Sequence, residues 1–227
     1  MRDVEVEIPV GLVVLPGHLR VPDDPIGVVV FAHGSGSSRL SPRNRAVADL
    51  LHDAGLATLL FDLLTPAEFD QQSNVFDIEL LERRLLAASH WLRTQPGMWS
   101  LPLGYFGAST GAAAAIAAAA DSGDHVAAIV SRGGRPDLAR EWLVDVDAAT
   151  LLIVGEHDPT VIDLNRRAQA ELLCINALVV VPGAGHLFEE PGSLDHVASI
   201  ARDWFVDHLR SAGSDDESDE GGSADPA

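Results

Sequence analysis

Leu101-Pro102-Leu103-Gly104-Tyr105-Phe106-Gly107-Ala108-Ser109-Thr110-Gly111, followed by alanine at every position from 112 to 120 except Ile116, is the stretch that decides the fold. A short apolar segment ends at Phe106, a turn of small residues carries Ser109, and the alanine run opens a buried helix. A strand passing through such a turn into a helix holds a serine in a strained backbone conformation with its hydroxyl exposed. Only glycine or residues nearly as small fit beside it. The alanines let the helix lie close to the sheet, and its positive N-terminal end points at Ser109.

Working outward from that turn, the pattern is a regular alternation. Residues 3–21 alternate charged and apolar side chains around Pro16-Gly17 and predict an edge hairpin. Ile26 to Ala32 and Ala57 to Phe61 are unbroken apolar runs suited to buried parallel strands, with a helical stripe (Ala46, Val47, Leu50, Leu51, Ala54) between them. A helix marked by Ile78, Leu81, Leu85, Ala88 and Leu92 precedes the Ser109 strand. After it come strands at Val126–Val130, Thr150–Val154 and Ala177–Val181, a short helix near Leu138–Leu143, and helices at Val161–Leu173 and Leu194–Leu209. Strand and helix periods in turn predict a mainly parallel sheet covered on both faces.

The chain has 227 residues and is 47% hydrophobic, enough for one α/β domain, placed at residues 1–212. Its formal charge is −19, and the six carboxylates after Ser214 leave a body that is still strongly acidic, which argues against nucleic acid or an anionic membrane as partner. Residues 213–227 are mostly Ser, Gly, Asp and Glu with little to bury and are expected to be a disordered acidic tail. Met1-Arg2-Asp3-Val4-Glu5 has no apolar signal core, so a soluble cytoplasmic protein is expected. Cys174, the single cysteine, excludes an internal disulfide and a cysteine metal cluster and is expected to pack in a helical apolar run.

Nucleophilic acyl transfer needs a hydroxyl, a base, a carboxylate that holds the base, and donors for an oxyanion, all at the carboxyl ends of strands. Ser109 meets the first demand. Asp158, in Gly155-Glu156-His157-Asp158-Pro159 just past the penultimate strand, is the candidate acid, with Glu156 its rival. His186, in Gly183-Ala184-Gly185-His186 after the last strand, is the candidate base. Oxyanion donors are expected from the amide of Thr110 and from His33-Gly34-Ser35-Gly36, with Ser35 first and Gly34 next. His33 itself is better suited to pinning that loop than to catalysis. Its Gly-x-Gly lacks the third glycine of a dinucleotide fingerprint. No metal or cofactor is required. Arg39, Arg43, Arg45, Arg132 and Arg135 cluster at strand ends, where Arg39, Arg43, Arg132 and Arg135 are candidate substrate-binding groups or partners of Asp62, Asp137 and Glu141. Glu189 and Glu190 are expected to be helix-start or solvent carboxylates.

The order Ser, Asp, His, the His-Gly loop, the Gly-Ala-Ser-Thr-Gly elbow, the Gly-Glu-His-Asp turn and the Gly-Ala-Gly-His loop together resemble an α/β-hydrolase of the dienelactone-hydrolase-like branch, from about Val4 to Arg210. Gly34–Arg39, Ser41–Arg45 and Ser131–Arg135 are similar to stretches of hydrolase domains fused in some bacterial proteins to a phosphoribosyltransferase. The resemblance implies an eight-stranded, mostly parallel sheet flanked by helices with little or no cap, and a hydrolytic triad. Dienelactone hydrolases proper carry a cysteine where this chain has Ser109. The implied activity is cleavage of a small-molecule carboxylic ester, lactone or thioester through an acyl-enzyme. A peptidase or acyltransferase on the same residues, and a non-catalytic interaction module of the same fold, stay open.

Overall fold

The computed structural model describes residues 1–121 and 125–219. An antiparallel hairpin, β1 (Arg2–Val10) and β2 (Val13–Val21), leads into β3 (Val28–Ala32), α1 (Pro42–Asp53) and β4 (Ala57–Phe61). A short α2 (Pro66–Phe69) and a single 3₁₀ turn (Asn74–Phe76) precede α3 (Ile78–Arg93). Next come β5 (Leu103–Ala108), α4 (Thr110–Asp121), β6 (Val126–Arg132), a 3₁₀ segment (Pro136–Asp145) and β7 (Ala149–Gly155). The chain finishes with α5 (Pro159–Glu171), β8 (Asn176–Val181) and α6 (Ser193–Asp219).

The eight strands form one sheet in the order β1-β2-β4-β3-β5-β6-β7-β8, antiparallel between β1 and β2 and between β2 and β4, and parallel from β4 to β8. The chain winds outward to β4, returns to β5 beside β3, and then proceeds the other way. The crevice at the carboxyl ends of β3 and β5 is therefore the topological switch point, where open α/β sheets bind ligands.

Alternation along the strands sends side chains to two cores. On one face Val28, Val30, Leu103, Tyr105 and Ile129 pack under α3 and α4; on the other Val29, Phe31, Phe106, Ala128 and Val130 pack under α1 and α6. Ala112 to Ala118 are completely buried, so α4 meets the sheet along its alanine face. α6 reaches its side through Phe205, whose ring fills the space that a side chain at Gly104 would take. Among the described residues no helix is long and apolar enough to cross a membrane.

Several expectations change. The hairpin turns at Gly11-Leu12, and Pro16-Gly17 lies inside β2. α6 continues to Asp219, beyond the Leu209 end of its apolar stripe, and residues 220–227 of the acidic tail lie outside the described part. α5 ends at Glu171, so Cys174 sits in the link to β8, half-buried, with burial pushing its thiol pKa up and Thr150 Oγ1 3.8 Å from the sulfur. The segment between Thr65 and Asn74 is partly helical. A capping box, in which Thr65 and Glu68 satisfy each other's backbone N–H groups, folds α2, whose Phe69 leans over the switch-point crevice.

Candidate active site

Ser109 stands between β5 and α4 with φ 51°, in the left-handed region that a non-glycine residue enters at a cost. The surroundings hold it there from three directions. Its N–H donates to the Arg132 carbonyl (3.3 Å), and its own carbonyl accepts from Ala112 N–H (3.1 Å) and Arg135 N–H (3.2 Å). The glycines of the turn are required by neighbouring backbone. A Cβ on Gly107 would lie 2.4 Å from Cα of Ala112, and one on Gly111 only 2.1 Å from the Ala32 carbonyl oxygen. Gly34 has the same role across the crevice, its missing Cβ leaving room for the Ala108 carbonyl (2.9 Å) and Ser109 Cβ (3.0 Å).

Asp158 caps α5, accepting weakly from Val161 N–H (3.4 Å), and its other carboxylate oxygen accepts from His186 Nδ1–H at 2.7 Å. That bond fixes the tautomer in which Nε2 is left as the acceptor, the form a general base needs. The His186 side chain is 42% exposed while that of Asp158 is 18% exposed, so the imidazole faces solvent and the carboxylate is largely covered. His186 reaches the elbow through the β6 loop: a Cβ on Gly133, next to the residue that holds Ser109 N–H, would lie 3.5 Å from His186 Cε1.

The acid turn and the base loop are tied to each other. Glu156 N–H donates to the Val181 carbonyl (3.0 Å), His157 N–H to the Ala184 carbonyl (2.9 Å), and Gly183 N–H to Glu156 Oε2 (2.7 Å). Glu156 is thus a brace between the loops and is not hydrogen-bonded to the histidine. Gly155 permits the close approach, since a Cβ there would stand 2.5 Å from the carbonyl oxygens of Ala184 and Gly185. Glu190, expected to be a helix-start or solvent carboxylate, instead accepts from Gly185 N–H (2.9 Å) directly before His186. Phe188, two residues after the histidine, is buried with φ 56° and plugs the loop into the α1/α6 core. Neither role is written in local sequence, because both depend on a contact across the loop.

In the loop after β3, His33 holds structure. Its Nδ1–H donates to the Gly34 carbonyl (3.1 Å) and its Nε2 accepts from Leu63 N–H (3.0 Å), so the loop is pinned to the end of β4. Burial keeps the ring neutral by lowering its pKa, partly opposed by the Gly34 carbonyl and by Asp62. The unfolded histidine titrates at 6.5 and the folded one lower, so the unfolded chain takes up the proton first as pH falls. The stabilisation is complete above about pH 6.5 and declines as pH drops toward the folded-state value. Thermal unfolding from pH 7 to pH 5 is expected to show a larger fall in Tm for the wild type than for His33→Asn. Equal slopes would remove His33 from the pH response.

The donor expectation needs a correction at Ser35. Its N–H is not free; it donates to Thr110 Oγ1 at 3.0 Å, because the buried Thr110 hydroxyl turns toward the loop. An oxyanion must displace that hydroxyl before Ser35 can serve, while Gly34 lies against the elbow as described.

The candidate arginines part company. Arg39 is held by Asp62 (2.8 Å) with Glu5 behind it, and Arg135 makes a bidentate pair with Asp137 (2.8 and 2.7 Å). Arg43 bonds the exposed Glu189 (2.8 Å). Arg132 has no carboxylate partner among the described residues; its guanidinium lies 5.9 Å from the Phe106 ring centroid. Beside the elbow, His33, Gly34, Ser35, Thr110, Leu64 and Phe69 enclose a crevice of about 10 Å³, which opens toward a groove of about 360 Å³ walled by Pro16, Ser38, Arg39, Asp62, Pro66 and Phe69. Among the described residues no group of His, Cys, Asp and Glu side chains is arranged to hold a metal ion.

No protein-family model matches the chain. A putative phosphoribosyl transferase of Mycobacterium tuberculosis, found in two strains, is 62% identical over 209 residues, covering 92% of this chain and 47% of the relative. The chain thus spans about half the length of the curated relatives it matches. The crystal structure of a dienelactone hydrolase from Anabaena variabilis is 52% identical with a TM-score of 0.89, covering 92% of this chain and 99% of that one. The esterase domain of a Rhodothermus marinus protein, at 18% identity and a TM-score of 0.75 over 92% of this chain and 100% of that one, shares the fold. With a sheet of hydrolase topology and a solved relative of this identity matched over almost its whole length, the chain belongs to the dienelactone-hydrolase family of α/β-hydrolases.

Proposed function

We propose that this protein is a serine hydrolase that cleaves a small carboxylic ester, lactone or thioester through an acyl-enzyme. The observation that carries the reading is the 2.7 Å bond from His186 to Asp158 on the same sheet edge as a serine whose strained backbone is fully hydrogen-bonded. Strain maintained in this way at a partly exposed serine suits a nucleophile.

In this mechanism Ser109 Oγ attacks the substrate carbonyl while His186 Nε2 takes its proton. Asp158 steadies the imidazolium that forms. The new oxyanion is received by the Thr110 amide at the positive end of α4 and by an amide of the Gly34–Ser35 loop, with the Thr110 hydroxyl rotating away from Ser35. Collapse breaks the bond to the alcohol or thiol, which leaves with the proton from His186. Water, deprotonated by the same ring, then releases the acid and restores Ser109. The tight crevice beside the donors favours a short acyl group, and the open groove accommodates the rest. The solved relative's name, dienelactone hydrolase, fits this reading, since a lactone is an internal ester.

A panel of p-nitrophenyl esters, a lactone, an acyl thioester and a p-nitroanilide tests it. Turnover of the short esters and the thioester is expected, with an initial burst equal to the enzyme concentration wherever deacylation is slow. Anilide turnover with inert esters would instead make it a peptidase.

A further inference from the structure

The end of the sheet that carries the elbow holds an arginine that pairs with no carboxylate among the described residues. Arg132, the last residue of β6, is 8% exposed, and its Nη1 is buried without a hydrogen-bond partner. Buried arginine is ordinarily paired, since an uncompensated guanidinium loses its hydration for nothing. Burial, with a further push from the positive charge of Arg43, lowers the Arg132 pKa to about 10.

Arg43 comes from the opposite side, in the first turn of α1. Its Nε is also buried and unpartnered, and its only carboxylate among the described residues, Glu189, is 65% exposed. The α1 N-terminus adds to the imbalance. Its first turn holds no acidic residue and instead presents Arg43 and the exposed Arg45 at the positive end of the helix dipole, the reverse of the favourable arrangement. Phe188 comes against Gly133, the residue after Arg132 (3.5 Å from its missing Cβ), and the next residue, Glu189, bonds Arg43. Both arginines thus meet this loop, with exposed Glu189 as the one carboxylate paired with either among the described residues, in a chain of formal charge −19.

We propose that Arg132, Arg43 and the first turn of α1 form a binding site for a phosphate-type dianion beside the elbow. More than one positive charge converges there, so a dianion matches the site better than a single carboxylate does. Arg132 offers the bidentate fork from below, and Arg43 closes from the rim once it exchanges Glu189 for the ligand. The source is either a phosphate group on the substrate, placed next to Ser109 through the Arg132 carbonyl contact, or free phosphate. Only the substrate arm rests on the hydrolase reading.

The test is thermal unfolding of the full chain in inorganic phosphate, chloride or acetate at matched ionic strength, for the wild type, Arg132→Met and Arg43→Gln. At about ten times the dissociation constant, phosphate is expected to raise the wild-type Tm by about 3–5 °C beyond chloride and acetate. Arg132→Met should abolish that gain while melting at or above the wild-type temperature without phosphate, because it removes an uncompensated buried charge. A merely structural arginine would lower it. Arg43→Gln, at the rim, should fold normally and reduce the gain, which keeps the test decisive if Arg132→Met is poorly folded. Equal shifts in phosphate and chloride, an undiminished gain in both variants, or an acetate response as large as that to phosphate would overturn the proposal. Competitive inhibition of p-nitrophenyl acetate hydrolysis by phosphate would assign the anion to the substrate, and an undisturbed kcat/KM with the Tm gain intact would assign it to free phosphate. A protein inert toward every ester yet stabilised by phosphate would refute the hydrolase reading and leave this site standing.

Discussion

Ser109→Ala is expected to reduce ester hydrolysis by about 10⁴-fold or more, to the residual level that binding and oxyanion donors alone supply. The same position carries a second, opposite signature. With φ at 51° the native serine sits where glycine is at ease, so Ser109→Gly is expected to raise stability by about 1 kcal/mol while abolishing turnover. A gain in Tm coupled to lost activity identifies strain retained for chemistry. If Ser109→Gly were less stable than the wild type, or if Ser109→Ala kept its activity, the serine would be an ordinary turn residue. Steady-state kinetics on p-nitrophenyl acetate and thermal unfolding of the three proteins decide it.

Gly111→Ala is expected to be the most damaging single-methyl change in the chain. The added carbon would sit 2.1 Å from the Ala32 carbonyl oxygen and 2.6 Å from the His33 carbonyl oxygen. Both are backbone atoms, one at the end of β3 and the other in the oxyanion loop, so no side chain can swing aside. The first turn of α4 and the β3 loop must separate by more than an ångström, at a cost of about 4 kcal/mol or more, most of what a domain of this kind has in reserve. Soluble yield and Tm measure the effect. Gly36→Ala is the control, since Gly36 has a positive φ and open space around it and should cost only about 1 kcal/mol. Equal melting temperatures for the two variants would contradict the packing account of the elbow.

Much of this architecture is legible in the sequence because it is locally encoded. The apolar runs at Val28–Ala32 and Ala57–Phe61 can be nothing but buried strands, and the alanine face of α4 announces a helix pressed on a sheet. The positions of Ser109, Asp158 and His186 follow from the rule that such groups cluster at strand ends, and the direct bond between the last two fits it. What stayed hidden is whatever depends on a partner distant in sequence or on a rotamer. Glu156 and Asp158 differ by two positions, yet only the approach of the Gly183 amide commits the former to bracing and leaves the latter to the imidazole. Glu190 and Phe188 brace the histidine loop through contacts that only folding creates. Ser35 looked like a free donor because nothing in the sequence says which way the Thr110 hydroxyl turns. Five arginines at strand ends look alike in sequence; Asp62, Asp137 and Glu189 engage three of them, and Arg132 has no carboxylate partner among the described residues.

The central claim, that Ser109 is a nucleophile activated by the His186–Asp158 pair, is tested most directly by exposing the folded protein to a serine-directed fluorophosphonate and locating the adduct by peptide mass spectrometry. One adduct per chain on Ser109, absent from Ser109→Ala and formed far more slowly in His186→Ala, is the predicted result. A folded wild-type protein that remains unlabelled, or that is labelled at another serine, would contradict it.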